Sequence, residues 1–165
     1  METANVAVSS CSKVPALLRE GLSWPLARVA HALVEAHNAA LAPLALSMRS
    51  YAVLAMVSGG SVRSQLEIAQ GVGLDKTTLV ATLDDLERRG LVARKPDPED
   101  RRARIVSITC EGERLLAKAG ELVRAMEREM LAQMTPAQVD SVRDALEALM
   151  AGVLHKGSEG AGSCL

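Results

Sequence analysis

The sequence predicts a mainly α protein: a winged helix-turn-helix with a helical dimerisation region. Three observations carry that expectation. First, the 165 residues are 48% hydrophobic yet include one Trp, one Tyr and no Phe. The core is therefore built from Leu, Val, Ile, Ala and Met, which suits packed helices better than sheets rich in aromatic pairs. Second, two short helical patterns between Ser64 and Gly90 meet at a glycine-containing turn, the arrangement of a helix-turn-helix. Third, two β-prone runs, 91–95 and 104–109, follow at once and flank a charged loop with two prolines. A hairpin directly after a helix-turn-helix is a wing.

Each element has its own local reason. Residues 1–20 lack sustained periodicity and contain Ser9, Ser10, Ser12 and Pro15, so a flexible arm is expected there. Ser23 reads as an N-cap, with Trp24-Pro25 opening the first turn. Leu26, Val29, Ala30, Leu33, Val34 and His37 then recur at helical spacing. Pro43 interrupts, and a second helix is expected over about 47–57, stopped by Gly59-Gly60. Ser64-Gln65-Leu66-Glu67 is a capping box, and Gly71 and Gly73 are expected to break the helix it starts. Asp75 caps the next helix, whose apolar positions are Leu79, Leu83 and Leu86. Gly90 stands where a left-handed C-terminal residue is favoured.

Beyond the hairpin, Thr109 reads as the N-cap of a long helix over about 110–133. Thr135-Pro136-Ala137-Gln138 restarts the chain with a second capping box. Val139, Val142, Leu146, Leu149 and Val153 then form a heptad-like seam. The tail, 157–165, is expected to be disordered.

Charge is distributed unevenly. The chain carries a net −1. Between Arg88 and Arg104, however, seven basic residues face three acidic ones, a local +4 on a body of −5. Such a segment docks on a polyanion without making the whole protein adhesive. The scarcity of aromatic residues argues against single-strand binding by base stacking.

Catalytic and metal chemistry find no support. Cys11, Cys110 and Cys164 form no CxxC pair and no zinc pattern with His31, His37 and His155. There is no nucleophile–base set and no phosphate loop, so neither an enzyme nor a cofactor is expected. No basic n-region precedes an apolar run, so no signal peptide is expected; the apolar runs are too short to cross a bilayer, and the low cysteine content fits a reducing cytoplasm.

Several stretches resemble one family. Asp75-Lys76-Thr77-Thr78-Leu79, Leu86-Glu87-Arg88-Arg89-Gly90-Leu91-Val92 and Asp97-Pro98-Glu99-Asp100-Arg101-Arg102 look like the MarR family of bacterial winged-helix regulators. Ile108-Thr109-Cys110-Glu111-Gly112 stands where that family has Leu-Thr-x-x-Gly. The resemblance spans about residues 22–155. It implies a homodimer on pseudopalindromic double-stranded operator DNA, released by a small, often aromatic or phenolic, anion. The winged-helix domain is accordingly placed at 21–156, with DNA binding over about 47–109. Dimerisation falls to about 21–46 and 110–156. One departure is notable: members commonly have Arg in mid recognition helix, where this chain has Ala81.

The candidate DNA contacts follow. Lys76, Thr77 and Thr78 occupy the first turn of the second motif helix, which points into the major groove in this arrangement. Thr82 lies one turn on, and Ser64 opens the preceding helix. The bland alternative is that these are capping residues on a solvated face. Asp84, Asp85 and Glu87 are expected to face away from DNA. In the wing, Arg101 and Arg102 with Arg104 suit a narrow minor groove, the resemblance making Asp100 and Arg102 an Asp-x-Arg pair. The alternative there is a hairpin kept soluble by its own ion pairs.

For an effector, Trp24, His31, His37, Arg49 and Tyr51 are the aromatic and polar candidates, and ordinary packing accounts for them equally well. Two further readings stay open: a winged helix used for protein contacts alone, and a redox sensor acting through a cysteine.

Overall fold

The computed structural model of the chain describes residues 15–59, 63–97 and 104–159. In order come α1 (Ala16–Glu20), α2 (Ser23–Leu41), a 3-10 turn (Ala42–Leu44), α3 (Met48–Met56), β1 (Arg63–Ser64), α4 (Gln65–Val72) and α5 (Lys76–Arg88). They are followed by β2 (Val92–Pro96), β3 (Arg104–Ile108), α6 (Cys110–Met130) and α7 (Pro136–Glu159). The chain divides after Val123 into two compact units.

The first unit is the winged helix. Its sheet has the order β1-β3-β2, all antiparallel, with Val92 opposite Ile108 and Pro96 opposite Arg104. Leu54 of α3, Ile68 of α4, Leu79, Leu83 and Leu86 of α5 and Val106 of β3 are buried together. Burying an aliphatic side chain of this size contributes roughly 1.5–3 kcal/mol, so this cluster fixes the helices around α5. Ala119 and Val123 bring α6 onto the same core.

Caps decide where the helices begin. Ser64 Oγ accepts from Glu67 N at 3.2 Å while Glu67 Oε2 accepts from Ser64 N at 2.7 Å, the reciprocal box expected from the sequence. Asp75 accepts from Thr78 N at 2.9 Å. Gly73 and Gly90 take positive φ, 68° and 71°, and turn the chain out of α4 and α5. Thr109 Oγ1 accepts from Gly112 N at 3.0 Å and donates to Gly90 O at 2.7 Å, so one hydroxyl caps α6 and ties it to the end of α5.

The second unit begins at Arg124 and holds the end of α6 and all of α7. Thr135 and Gln138 make the second capping box, with Gln138 N donating to Thr135 Oγ1 at 3.3 Å and Thr135 N donating to Gln138 Oε1 at 2.9 Å. Along α7, Val142, Leu146, Leu149 and Met150 are exposed and Val139 is half-buried. The side chain of Val153, the last of the expected seam, lies outside the described residues.

Five expectations are corrected. The arm expected over 1–20 is helical at Ala16–Glu20, and residues 1–14 lie outside the described ones. Ser23 is the first residue of α2 rather than its cap, because the Leu22 carbonyl already accepts from Leu26 N at 3.0 Å. Gly71 stays within α4 beside Met56, and Gly73 alone ends the helix. The long helix stops at Met130 instead of continuing to 133, and α7 runs to Glu159 through the start of the expected tail. Residues 160–165 lie outside the described ones.

Candidate functional site

The helix-turn-helix presents one face of α5 to solvent. Helical periodicity places Leu79, Leu83 and Leu86 in the core, so the opposite stripe, Thr77, Ala81, Asp84 and Arg88, is exposed. Lys76 extends this exposed face at its N-terminal end. The stripe supplies a cation, a hydroxyl and an apolar methyl within the first two turns, a set suited to phosphate, base edge and thymine methyl.

Two of the candidate hydroxyls also work inside the protein. Thr78 Oγ1 donates to Asp75 Oδ2 at 2.6 Å, and Thr82 Oγ1 donates to Thr78 O at 2.8 Å. Each retains only acceptor capacity toward a ligand. Ser64 Oγ likewise donates to Glu67 Oε2 at 2.8 Å. The Asp75 carboxyl is held below its ordinary pKa, first by the Thr78 hydroxyl and then by the Thr78 N–H. It is therefore a firmly ionised cap.

The carboxylates of α5 do not simply face away. Asp84 lies on the exposed stripe with Thr77 and Ala81, because residues 77, 81 and 84 share one helix face. Its charge is offset by Arg94 of β2, whose Nη2 is 2.7 Å from Asp84 Oδ1. Asp85 holds Arg88 and Arg89, and Glu87 holds Arg94. Arg89 also donates to the carbonyls of Ala45 at 2.7 Å and Leu44 at 3.1 Å, beneath the start of α3. Three of the seven cations counted from sequence are thus paired to α5, which removes much of the local +4.

Arg104 is exposed at the first residue of β3 and contributes to holding the Glu87 carboxyl down, after the larger effect of Arg94. Asp100, Arg101 and Arg102 lie outside the described residues, as do Cys11 and Cys164. Cys110 is an exposed free thiol at the start of α6. Among the described residues there is no group of His, Cys, Asp and Glu able to hold a metal. Among those residues, too, no single helix is long and apolar enough to cross a membrane.

The effector candidates are not brought together. Trp24 is half-buried under the Arg28 guanidinium, 5.9 Å from its ring centre. His31 is exposed beside Glu35 at 3.3 Å. His37 is buried with Nδ1 2.7 Å from Leu33 O, and Tyr51 packs against the core. Arg49 lines a cleft, a space of about 570 Å³ whose wall includes Val34, Asn38, Leu46, Ala52 and Leu74. Asn38 escaped the sequence reading; its Oδ1 accepts from Met48 N at 2.8 Å, across ten residues.

Residues 46–103 match the model of the MarR family. Among solved structures, a MarR-family transcriptional regulator from Rhodococcus sp. RHA1 is 33% identical over 82% of this chain and 96% of its own, with a TM-score of 0.77. CouR from Rhodococcus jostii RHA1, solved with p-coumaroyl-CoA, is 31% identical over 82% and 95%, with a TM-score of 0.73. The transcriptional repressor CouR on a 23-mer DNA duplex matches at 32% over 84% and 96%, with a TM-score of 0.71. With its capped recognition helix, its antiparallel wing strands and this likeness across most of its length, the chain belongs to the MarR family of winged-helix transcriptional regulators.

Proposed function

We propose that the protein is a homodimeric repressor that binds operator DNA in the cytoplasm and is released by a small organic anion. It acts by binding, without a catalytic step. The observation that carries this reading is the exposed N-terminal edge of α5, where Lys76 and Thr77 project from a helix anchored by Leu79, Leu83 and Leu86. CouR, similar over most of this chain, has been solved on DNA and with an acyl-CoA.

Two features support the dimer. Leu22 and Val29, 74% and 57% exposed near the start of the chain, and the α7 seam are too apolar for a lone soluble protein. A second copy accounts for both. The cleft beside Arg49 has a volume ordinary for a ligand site and mostly apolar walls, which supports an anion with an aromatic or aliphatic body.

A gel shift on the intergenic DNA beside the protein's own gene, repeated at several salt concentrations, tests the reading. Affinity should fall steeply with salt as phosphate counterions are released. Footprinting should show two half-sites about 34 Å apart. Protection of a single half-site contradicts the two-fold arrangement.

A further inference from the structure

Arg49 stands on the wall of two separate hollows. One is the apolar cleft, where it neighbours Asn38 and Ser47. The other is an open depression of about 410 Å³ beside the recognition helix, which it lines together with Thr77, Ala81 and Thr82. The side chain is exposed and makes no hydrogen bond or ion pair with the described residues. By contrast, Arg88, Arg89 and Arg94 are all tied to carboxylates. Asp85, a carboxylate on the wall of the depression, is already held by Arg88 and Arg89.

Local stability does not explain this arginine. It is the second residue of α3, where a cation opposes the helix dipole. Ala81 leaves the exposed stripe of α5 without a long donor at mid-helix, and the hydroxyl hydrogens of Thr78 and Thr82 are committed to their own helix. A guanidinium reaching across Ala81 supplies a forked donor that fits a guanine edge or a phosphate.

We propose that Arg49 contacts DNA from the depression beside α5, and that an organic carboxylate in the adjoining cleft competes for the same guanidinium. The proposal rests on the DNA-binding reading above and adds how occupancy of the cleft reaches the DNA. The cleft and the depression are separate hollows, so a guanidinium turned into the cleft is withdrawn from the depression, and the ligand removes a contact without any change of fold. The reciprocal holds by linkage: bound DNA weakens the carboxylate by the same factor.

The test compares wild type, Arg49→Gln and Arg49→Lys on the intergenic fragment. 4-Phenylbutyrate is the probe, with 4-phenylbutanol and acetate at equal concentration as controls. Arg49→Gln should bind DNA about tenfold more weakly, the scale of one good contact, with Arg49→Lys between the two. Phenylbutyrate should release DNA from the wild type, the alcohol and acetate should not, and residual binding by Arg49→Gln should be indifferent to all three. Wild-type affinity in Arg49→Gln overturns the proposal. So does equal release of both proteins by phenylbutyrate, or no release of the wild type. If the wild type itself ignores the fragment, the DNA-binding reading fails first, a result distinct from these.

Discussion

Glu87 and Arg94 hold each other twice. Glu87 Oε1 accepts from the backbone N–H of Arg94 at 3.1 Å, and Glu87 Oε2 accepts from its Nε at 2.9 Å. Asp84 Oδ1 shares the Nη2 of the same guanidinium with Glu87, at 2.7 Å. The end of the recognition helix and the first wing strand are thereby fastened at one point. Because the backbone as well as the side chain of Arg94 is held, the strand cannot slide while the pair persists. The wing base and α5 thus form one body.

This pair predicts an acid sensitivity. The Arg94 guanidinium holds the Glu87 carboxyl below its ordinary pKa, and the Thr78 hydroxyl does the same for Asp75. A depressed folded value means that the stabilisation is fully present above the ordinary carboxylate range and is lost as pH falls through the folded values. Glu87→Gln should destabilise the protein at pH 7 by less than about 1 kcal/mol, and lower its melting temperature accordingly, because solvent still screens a half-buried pair. It should also flatten the fall in Tm between neutral and acid pH. Thermal melts of both proteins across that range check this, and parallel curves would count against the pair.

Gly112 predicts a steric failure. In the first turn of α6 a Cβ at this position would overlap the Leu91 carbonyl oxygen and come within 2.7 Å of Ile108 Cγ1. The obstacle on one side is backbone, and it cannot rotate away. Gly112→Ala should therefore destabilise the protein by about 1–3 kcal/mol, the usual cost of overpacking, despite its better helix propensity. Chemical denaturation measures it, and a stabilised variant would show that α6 has room to shift.

The elements legible in the sequence are those set by bonds between residues three or four apart. The boxes at Ser64–Glu67 and Thr135–Gln138, the Asp75 cap and the turns at Gly73 and Gly90 all belong to this class. What sequence did not reveal joins distant segments. β1 is two residues long and exists through pairing with β3 some forty residues away. Arg89 reaches carbonyls at Leu44 and Ala45, which local periodicity cannot indicate. The basic segment looked free because its counterions lie just before it: Asp85 pairs with Arg88 and Arg89 within α5, while Asp84 and Glu87 face Arg94 only once β2 folds back. Trp24, His31, Arg49 and Tyr51 shared residue chemistry but not a common surface.

The α7 seam predicts an obligate partner. Leu146 and Leu149 are 42% and 45% exposed on a helix whose neighbouring apolar residues Val142 and Met150 are exposed too. A charge at the centre of such a seam must be desolvated when copies associate. Leu146→Asp should give monomers or insoluble protein in sedimentation, and DNA binding should disappear with the dimer. A soluble dimer with wild-type affinity would place the interface elsewhere.

Arg102 carries the last prediction, which rests on sequence because the residue lies outside those described. Pro96 pairs with Arg104 at the loop end of the hairpin, and the residues between them in sequence include Asp100, Arg101 and Arg102. Arg94 is already consumed by Asp84 and Glu87, so phosphate and groove contacts are expected of the segment's other cations. A planar guanidinium suits a narrow minor groove, where the potential is most negative. Asp100, two residues before, has the charge to brace it. Arg102→Ala should weaken operator binding by about 1–3 kcal/mol. Its melting temperature and dimer should hardly change, since the buried cluster around Leu83 and Val106 is built from apolar residues of the helices and strands. Arg102→Lys should recover only part of the loss, because an ammonium is bulkier with its water and lacks the fork. Affinity is to be measured on the footprinted operator at fixed salt. An alanine variant that binds as tightly as wild type leaves recognition to α5 and Arg49 alone.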